Sequence, residues 1–205
     1  KNGKIFIYTP NHLGDYAGTD FLQIILEYNG YCKKVLEGTR MIQKNSFNKK
    51  LTPQSSDFKG YYTIALTGNT FQNYITNFNL NNNTFGEEIK ILIGTTNMFE
   101  GVSLSNIRQI HIMEPWYNIS RNEQIIGRGI RQCSHIKLPF EKRNLTIFNY
   151  VAIHDENNTK YDINDNEITV LYKKNPSKEL DIDIRKLQLA TEKYLNIEKL
   201  ENLIK

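Results

Sequence analysis

Short apolar runs recur along the first 154 residues of the chain, and polar or helical stretches separate them. Each run is nearly continuous rather than alternating, a pattern typical of strands that are buried on both faces of a parallel sheet. The runs predict main strands at residues 4–9, 61–67, 89–93, 107–113 and 144–152, with a shorter strand at 31–35.

Helical spacing appears between these strands. A first helix is predicted over residues 21–28, with Thr19-Asp20 placed to cap it and Gly30 placed to end it. Its expected apolar face consists of Phe21, Leu22, Ile25 and Leu26. A second helix is predicted from the spacing of Phe71, Tyr74, Ile75 and Phe78. A third is expected in the second half of residues 118–131. Strands that alternate with helices predict an α/β domain with a mostly parallel sheet.

The remaining stretches are interpreted as loops or as an extension. Residues 11–18, 37–59 and 79–86 are polar or rich in glycine and asparagine, and we expect loops there. Residues 155–205 differ from the rest: a turn-rich part precedes an expected strand at 168–172, a helix at 180–194 and a second, broken helix from 192. The sequence therefore predicts a main domain, 1–154, and a partly helical C-terminal extension, 155–205.

The composition excludes several classes of protein. Hydrophobic residues make up 39% of the chain, enough to form a core and to exclude disorder throughout. Two cysteines exclude a small secreted disulfide scaffold. No apolar run approaches the roughly 18 residues that cross a bilayer. The first residue is Lys1 rather than methionine, and we expect the chain to be part of a longer protein.

The charge is compatible with a polyanionic partner. Residues 1–154 hold 17 Lys and Arg against 11 Asp and Glu, whereas residues 155–205 hold 9 against 11. A modest excess of basic residues is compatible with binding to nucleic acid. Surface lysines that increase solubility explain the same excess of positive charge.

The segment 124–131, Gln-Ile-Ile-Gly-Arg-Gly-Ile-Arg, carries the strongest chemical signal. Arg128 and Arg131 are three residues apart, so we expect them on one face of a helix. Two guanidinium groups on one face suit a triphosphate, because arginine pairs with phosphate oxygens and keeps its charge. Gly127 and Gly129 would let a partner approach the backbone. Such a pair taken alone is more often a solvated helix face.

Hydroxyl residues follow several of the predicted strands. Thr9, Thr67-Gly68 and Thr95-Thr96 each lie at the end of a predicted strand or just after it. Ligands of open α/β sheets bind at the carboxyl ends of the strands, so these residues are expected at one edge. Hydroxyls and backbone N–H groups in that position can donate to the sugar–phosphate backbone of a nucleic acid.

The order of these features resembles motifs V and VI of superfamily 2 helicases: a strand, Thr95-Thr96, Glu100-Gly101, a second strand, and Gln-x-x-Gly-Arg-x-x-Arg. Those motifs belong to the second RecA-like lobe. Residues 114–120 and 123–135 are similar to the helicases of large DNA viruses, such as the small subunit of the poxvirus early transcription factor and nucleoside triphosphate phosphohydrolase I. Similar proteins occur in African swine fever virus, giant viruses and linear yeast plasmids.

The resemblance implies a RecA-like three-layer domain and specific residue roles. Arg128 and Arg131 correspond to the pair that reaches the γ-phosphate, with Arg131 as the arginine finger. Ser103 stands where many members have an aspartate near the ribose. The other implied nucleotide-binding residues are Gln124, Gly127, Glu100 and Gly101. The implied nucleic-acid contacts are Thr9, Thr67, Gly68, Thr95 and Thr96.

The resemblance also implies that a first lobe must supply part of the nucleotide-binding site. The sequence contains neither Gly-x-x-x-x-Gly-Lys-Ser/Thr nor Asp-Glu-x-His/Asp, the motifs that bind the nucleotide and Mg²⁺ in the first lobe. ATP and Mg²⁺ would be held mainly by that lobe, and this chain alone would be inactive. The implied partners are DNA or RNA, the first lobe and viral transcription machinery, with no membrane, in the host cytoplasm or the virion.

Other interpretations stay open at this point. A helicase-like fold can serve as a non-catalytic interaction scaffold, and the translocase lobe of a restriction-type system uses the same motifs. Cys133 and His135 could belong to a metal site, but zinc takes about four ligands and no others are evident. Trp116 and Tyr117 could stack on a base, although packing explains them more simply.

Overall fold

The structure, a computed structural model, describes residues 3–10, 18–37, 40–44, 57–65, 71–96, 102–151, 159–161, 167–169 and 182–204. The chain forms two compact units. The first comprises Lys1–Glu114 with Ser120–Tyr150, and the second comprises Pro115–Ile119 with Val151–Lys205. The domain boundary expected from the sequence, between residues 154 and 155, stays a prediction.

The first unit contains a seven-stranded sheet. Its strands are β1 (Lys4–Tyr8), β2 (Tyr31–Glu37), β3 (Arg40–Lys44), β4 (Gly60–Ala65), β5 (Ile91–Gly94), β6 (Ile107–Ile112) and β7 (Thr146–Asn149). They lie in the order β3-β2-β4-β5-β1-β6-β7, and all neighbours pair in parallel except β2 and β3. The helices are α1 (Gly18–Tyr28), α2 (Phe71–Asn79) and α3 (Ile119–Gly129).

Helices cover both faces of this sheet, because its central strands are apolar on both sides. Phe6 of β1 and Leu92 of β5 belong to a core cluster that includes Ile75 of α2 and Ile125 of α3. The alternate residues, Ile7, Ile91 and Ile93, pack with Leu22 and Leu26 of α1 on the opposite face. The result is a three-layer α/β domain with a mostly parallel sheet, which confirms the fold class predicted from the sequence.

The first helix differs from its prediction in two details. It begins at Gly18, so Thr19 and Asp20 lie in its first turn rather than before it. Its buried residues are Thr19, Leu22 and Leu26, whereas Phe21 and Ile25 are 49% and 39% exposed. The apolar face is therefore narrower than the sequence suggests. Gly30 follows the helix at φ +88°, a conformation that favours glycine, as expected.

Two further differences concern edges and termini. Residues 40–44, expected to be part of a loop, form the edge strand β3, which is antiparallel to β2. The third helix begins at Ile119 rather than in the second half of its segment. Of the expected loops, residues 11–17, 38–39 and 45–56 lie outside the described residues.

The described residues of the second unit form a two-stranded antiparallel sheet and a long helix. The strands are β8 (Thr159–Tyr161) and β9 (Glu167–Thr169), and β8 falls within a stretch expected to consist of turns. The helix α4 (Ile182–Ile204) runs without the break that the sequence suggested. Among the described residues, no helix is both long and apolar enough to cross a membrane.

One lysine is buried in the core of the first unit. Lys4 at the start of β1 is fully buried, and its Nζ donates a hydrogen bond of 2.8 Å to the Phe78 carbonyl at the end of α2. The same nitrogen lies 4.4 Å from the centre of the Phe78 ring. Burial lowers the pKa of Lys4 to about 7, assisted by the charge of Lys137 and opposed by that of Glu87.

This lysine gives the protein a pH-dependent stability. Below pH 7 both the folded and the unfolded state carry the ammonium, so the folded state bears the full cost of burying the charge. Between pH 7 and about 10.5 the folded state loses the proton first, and the free energy of unfolding rises with pH. We expect a slope from this group of up to about 1.4 kcal/mol per pH unit.

Lys4→Met should raise the free energy of unfolding at pH 6 and remove that slope. The Phe78 carbonyl stays satisfied in the variant, because Asn83 Nδ2 also donates to it at 2.9 Å. Urea unfolding at pH 6, 8 and 10 measures the effect. An unchanged slope in the variant would contradict the assignment.

Candidate functional site

The structure brings the threonines that follow β1 and β5 to one edge of the sheet. Tyr8 pairs with Gly94 on one side and with Ile112 on the other, so these strands end level. The N–H of Thr9 donates to the Gly94 carbonyl at 3.1 Å, which places Thr9 beside Thr95. The neighbouring strand β4 ends at Ala65, also level with Gly94. Thr67 and Gly68 lie outside the described residues.

Thr95 is the most unusual residue of this edge. It is fully buried, and its Oγ1 has no hydrogen-bond partner among the described residues. A buried hydroxyl without a partner costs about 1–3 kcal/mol, so an additional donor or acceptor at this position would stabilise it. Thr96 beside it is half-buried, and Thr9 is buried.

Tyr8 lies directly before this edge and stays neutral. Its side chain is 3% exposed, and burial raises the pKa of its phenol. The charge and the hydrogen bond of Arg121, near the start of α3, act in the opposite direction. The phenol is therefore a neutral, buried group in the core cluster that α2 and α3 cover.

The two arginines of the Gln-x-x-Gly-Arg-x-x-Arg segment do not share a helix face, contrary to the expectation. Arg128 lies in the last turn of α3, which ends at Gly129, and Arg131 lies beyond it. The N–H of Ile130 still reaches the Ile126 carbonyl at 3.0 Å, but the N–H of Arg131 donates to Ser134 Oγ at 3.3 Å. In a continuing helix the N–H of Arg131 would donate to the Gly127 carbonyl. Because it donates to the Ser134 hydroxyl instead, the helix ends here.

Both arginines nevertheless contact the same segment, residues 102–104. Arg128 Nη1 lies 3.5 Å from the Val102 carbonyl, and the Arg128 carbonyl accepts a 2.9 Å hydrogen bond from the N–H of Leu104. Arg131 Nη1 donates to Ser103 Oγ at 2.5 Å, and its Nε donates to the Gly127 carbonyl at 3.3 Å. Of the predicted nucleotide-binding residues, the structure thus brings Arg128, Arg131 and Ser103 together.

The remaining predicted residues of this group have simpler positions. Gln124 is exposed on α3, one turn before Arg128, so the two share a face of the helix. Glu100 and Gly101 lie outside the described residues.

The two glycines of the segment have different roles. A Cβ at Gly127 would meet none of the described residues within 4 Å, so these residues leave its backbone open to a partner. A Cβ at Gly129 would lie 3.1 Å from Ile110 Cδ1 and 3.7 Å from Ile107 Cβ. Gly129 is therefore required for packing of α3 on β6, an internal role that differs from the one expected for it.

The arginines and the threonines lie toward opposite ends of the strands. The carbonyls of Arg128 and Ser134, at and beyond the end of α3, accept hydrogen bonds from the N–H groups of Leu104 and Asn106, which come just before β6. The end of α2 likewise lies at the start of β1, through the bond from Lys4 to Phe78. Thr9 and Thr95, in contrast, follow the last residues of their strands. The fold therefore separates two candidate sites.

A residue of α2 that the sequence does not single out also contacts this region. Asn79, the last residue of α2, bonds to the backbone of residues 103 and 105. It is 24 positions from Ser103 in the chain, and no local pattern connects the two.

Both ring nitrogens of His135 form hydrogen bonds within the domain. Its Nε2 lies 2.6 Å from the Ile107 carbonyl, and its Nδ1 lies 2.8 Å from Ser134 Oγ. Across the part of the chain that the structure describes, no group of three or more His, Cys, Asp or Glu side chains could hold a metal ion.

In the second unit, Trp116 and Tyr117 contact each other edge to face, and a role in base stacking stays a prediction.

A comparison with known protein families shows the family to which the chain belongs. Residues 21–133, more than half of the chain, match the family described as the helicase conserved C-terminal domain. The chain belongs to this helicase family. The match confirms the resemblance to the second RecA-like lobe of superfamily 2 helicases that the sequence motifs indicated.

Viral proteins are among the relatives of this helicase domain. A protein of Acanthamoeba polyphaga mimivirus named "Putative ATP-dependent RNA helicase R563" is 30% identical over 76% of this chain and 24% of its own length. Nucleoside triphosphatase I of Melanoplus sanguinipes entomopoxvirus is 31% identical over 75% of this chain and 25% of its own. The termination factor NPH-I homolog of African swine fever virus is 39% identical over 36% of this chain and 10% of its own.

The helicase domain spans about a quarter or less of the length of these relatives. Among solved structures, the C-terminal part of the Fun30 ATPase domain is similar, with 14% identity and a TM-score of 0.46, over 95% of this chain and 48% of that chain. The fold assignment rests on strand order and layering rather than on that likeness.

Proposed function

We propose that this chain is the second lobe of a nucleic-acid-dependent ATPase. Arg128 and Arg131 would approach the γ-phosphate of ATP, whose phosphates and Mg²⁺ are held mainly by a first lobe. Thr9, Thr95 and Thr96 would contact the sugar–phosphate backbone of DNA or RNA at the other end of the sheet. One relative is named an ATP-dependent RNA helicase, and another is named a nucleoside triphosphatase.

The observation that carries the proposal is the state of Arg131. Its hydrogen-bond acceptors within the described part of the chain are neutral oxygens of Ser103 and Gly127. The guanidinium is exposed and ordered by these bonds, and no carboxylate neutralises it there. An oriented, uncompensated arginine is what stabilisation of charge on a transferred phosphoryl group needs.

Two further features support the proposal. Gln124, which is exposed, and Arg128, which is half-buried, share one face of α3, and Gly127 lies beside them. The family match supports a helicase lobe. A non-catalytic helicase-like scaffold would not need both Arg128 and Arg131. The link to viral transcription rests on the name of the African swine fever virus relative, a termination factor homolog.

The nucleic-acid part of the proposal is tested by Thr95→Val. Valine has nearly the shape of threonine but no hydroxyl, and the Thr95 hydroxyl has no partner in the described structure. We expect the free energy of unfolding to stay level or rise. Affinity for a labelled single strand should fall several-fold, and the measured affinities should decrease with salt in both proteins.

Thr63→Val is the matched control. Thr63 is equally buried, on β4, but its Oγ1 donates to the Lys34 carbonyl at 2.8 Å. This variant should lose about 1–3 kcal/mol of stability and keep its affinity for nucleic acid. If Thr95→Val binds as tightly as the wild type at two salt concentrations, Thr95 does not contact the strand.

A further inference from the structure

The side chain of Asn79 is bonded twice to one stretch of backbone. Its Nδ2 donates to the Ser103 carbonyl at 2.7 Å, and its Oδ1 accepts from the N–H of Ser105 at 2.9 Å. A carbonyl and an N–H two residues apart are the groups that a neighbouring strand would pair with. Asn79 thus fixes residues 103–105 from one side.

The arginines bind the same stretch from the other side. The N–H of Leu104 donates to the Arg128 carbonyl, and Ser103 Oγ accepts from Arg131 Nη1. The side chains of Val102 and Leu104 are buried, which anchors the stretch between its two sets of partners. A continuous chain of contacts therefore leads from Asn79 through Ser103 to the guanidinium of Arg131.

We propose that Asn79 is a positioning residue for Arg131: by fixing the backbone of residues 103–105 it places Ser103 Oγ, which holds the guanidinium in one orientation. An exposed arginine has many rotamers, and ordering it in advance reduces the entropy lost when a phosphate binds. The inference rests on the proposed function of Arg131, but the ordering itself is a property of this chain.

Neighbouring asparagines show that this arrangement is not simply the usual behaviour of asparagine on a helix. Asn77 Nδ2 donates to the Asn73 carbonyl within α2, and the Nδ2 of Asn29, the residue after α1, donates to the Ile25 carbonyl four positions earlier, both at 2.8 Å. Asn79 instead bonds to a segment distant in sequence. Asn77, two residues away and half-buried like Asn79, is therefore a matched control.

The first arm of the test measures the order of Arg131 in this chain. The probe is ¹⁵N relaxation of the Arg131 Nε–H group, with thermal unfolding recorded for every variant. Asn79→Ala and Ser103→Ala should both lower the order parameter of that group, because each removes one link of the contact chain. Asn77→Ala should leave it unchanged. An Arg131 that is as ordered in both variants as in the wild type would overturn the inference.

The second arm uses a complete protein that carries the first lobe. Asn79→Ala should lower kcat by a factor of roughly 10 to 10² with little change in the KM for ATP, as expected for misplacement of a catalytic group. In an Arg131→Lys background the same substitution should have almost no further effect. Equal losses for Asn79→Ala and Asn77→Ala would overturn the inference. If Arg131→Ala kept normal turnover, the proposed function would fail, and the relaxation arm would still decide the role of Asn79.

Discussion

Arg131→Ala, in a complete protein that carries the first lobe, should lower kcat for ATP hydrolysis by a factor of order 10³ or more. ATP binding should be largely retained, because the charge that the arginine stabilises develops mainly in the transition state. The measurement is steady-state phosphate release at saturating nucleic acid, together with nucleotide titration. Arg128→Ala should behave similarly, since both side chains contact residues 102–104.

Two controls separate this role from a general loss of charge. Arg131→Lys should recover little activity, because an ammonium lacks the planar fork of the guanidinium. Arg143→Ala should keep near-normal turnover, because the Arg143 guanidinium donates to the carbonyls of Leu138 and Ile136 within the domain. Near-normal turnover of Arg131→Ala would show that this residue is not an arginine finger.

The second large effect concerns this chain alone, which should release no phosphate above background from Mg-ATP, with or without nucleic acid. Its sequence has no glycine-rich phosphate loop and no Asp-Glu-x-His/Asp box, so nothing identified in it binds the β-phosphate and Mg²⁺. A sensitive assay of phosphate release over hours is sufficient. Turnover comparable with that of a complete ATPase would contradict the division of the active site between two lobes.

The sheet could be predicted because its central strands are buried on both faces. A run such as residues 91–94, all buried in the structure, leaves little choice of element. β3 was missed because an edge strand needs only one partner and buries little: Arg40 and Lys44 at its ends are exposed. The sequence predicts two helices where the structure has the continuous helix α4. Most residues of α4 are exposed, so the sequence shows no sustained apolar face that would define one long helix.

The candidate site was predictable in part. The rule that ligands bind at the carboxyl ends of parallel strands located Thr9 and Thr95, which the structure brings side by side. The same rule does not locate Arg131, which lies toward the other end of the sheet. The end of α3 before Arg131 depends on the hydroxyl of Ser134, and the contact of Asn79 with Ser103 depends on tertiary packing. Neither leaves a local pattern in the sequence.

The central claim is that Arg131 acts on the transferred phosphoryl group of a nucleotide bound by another lobe. The most direct measurement compares the affinity of wild type and Arg131→Ala, in the complete protein, for ADP and for ADP with aluminium fluoride, a mimic of the transition state. We predict unchanged affinity for ADP and a loss of order 10²- to 10³-fold for the mimic. Equal affinity of both proteins for the mimic, or an equal loss for both ligands, would contradict the claim.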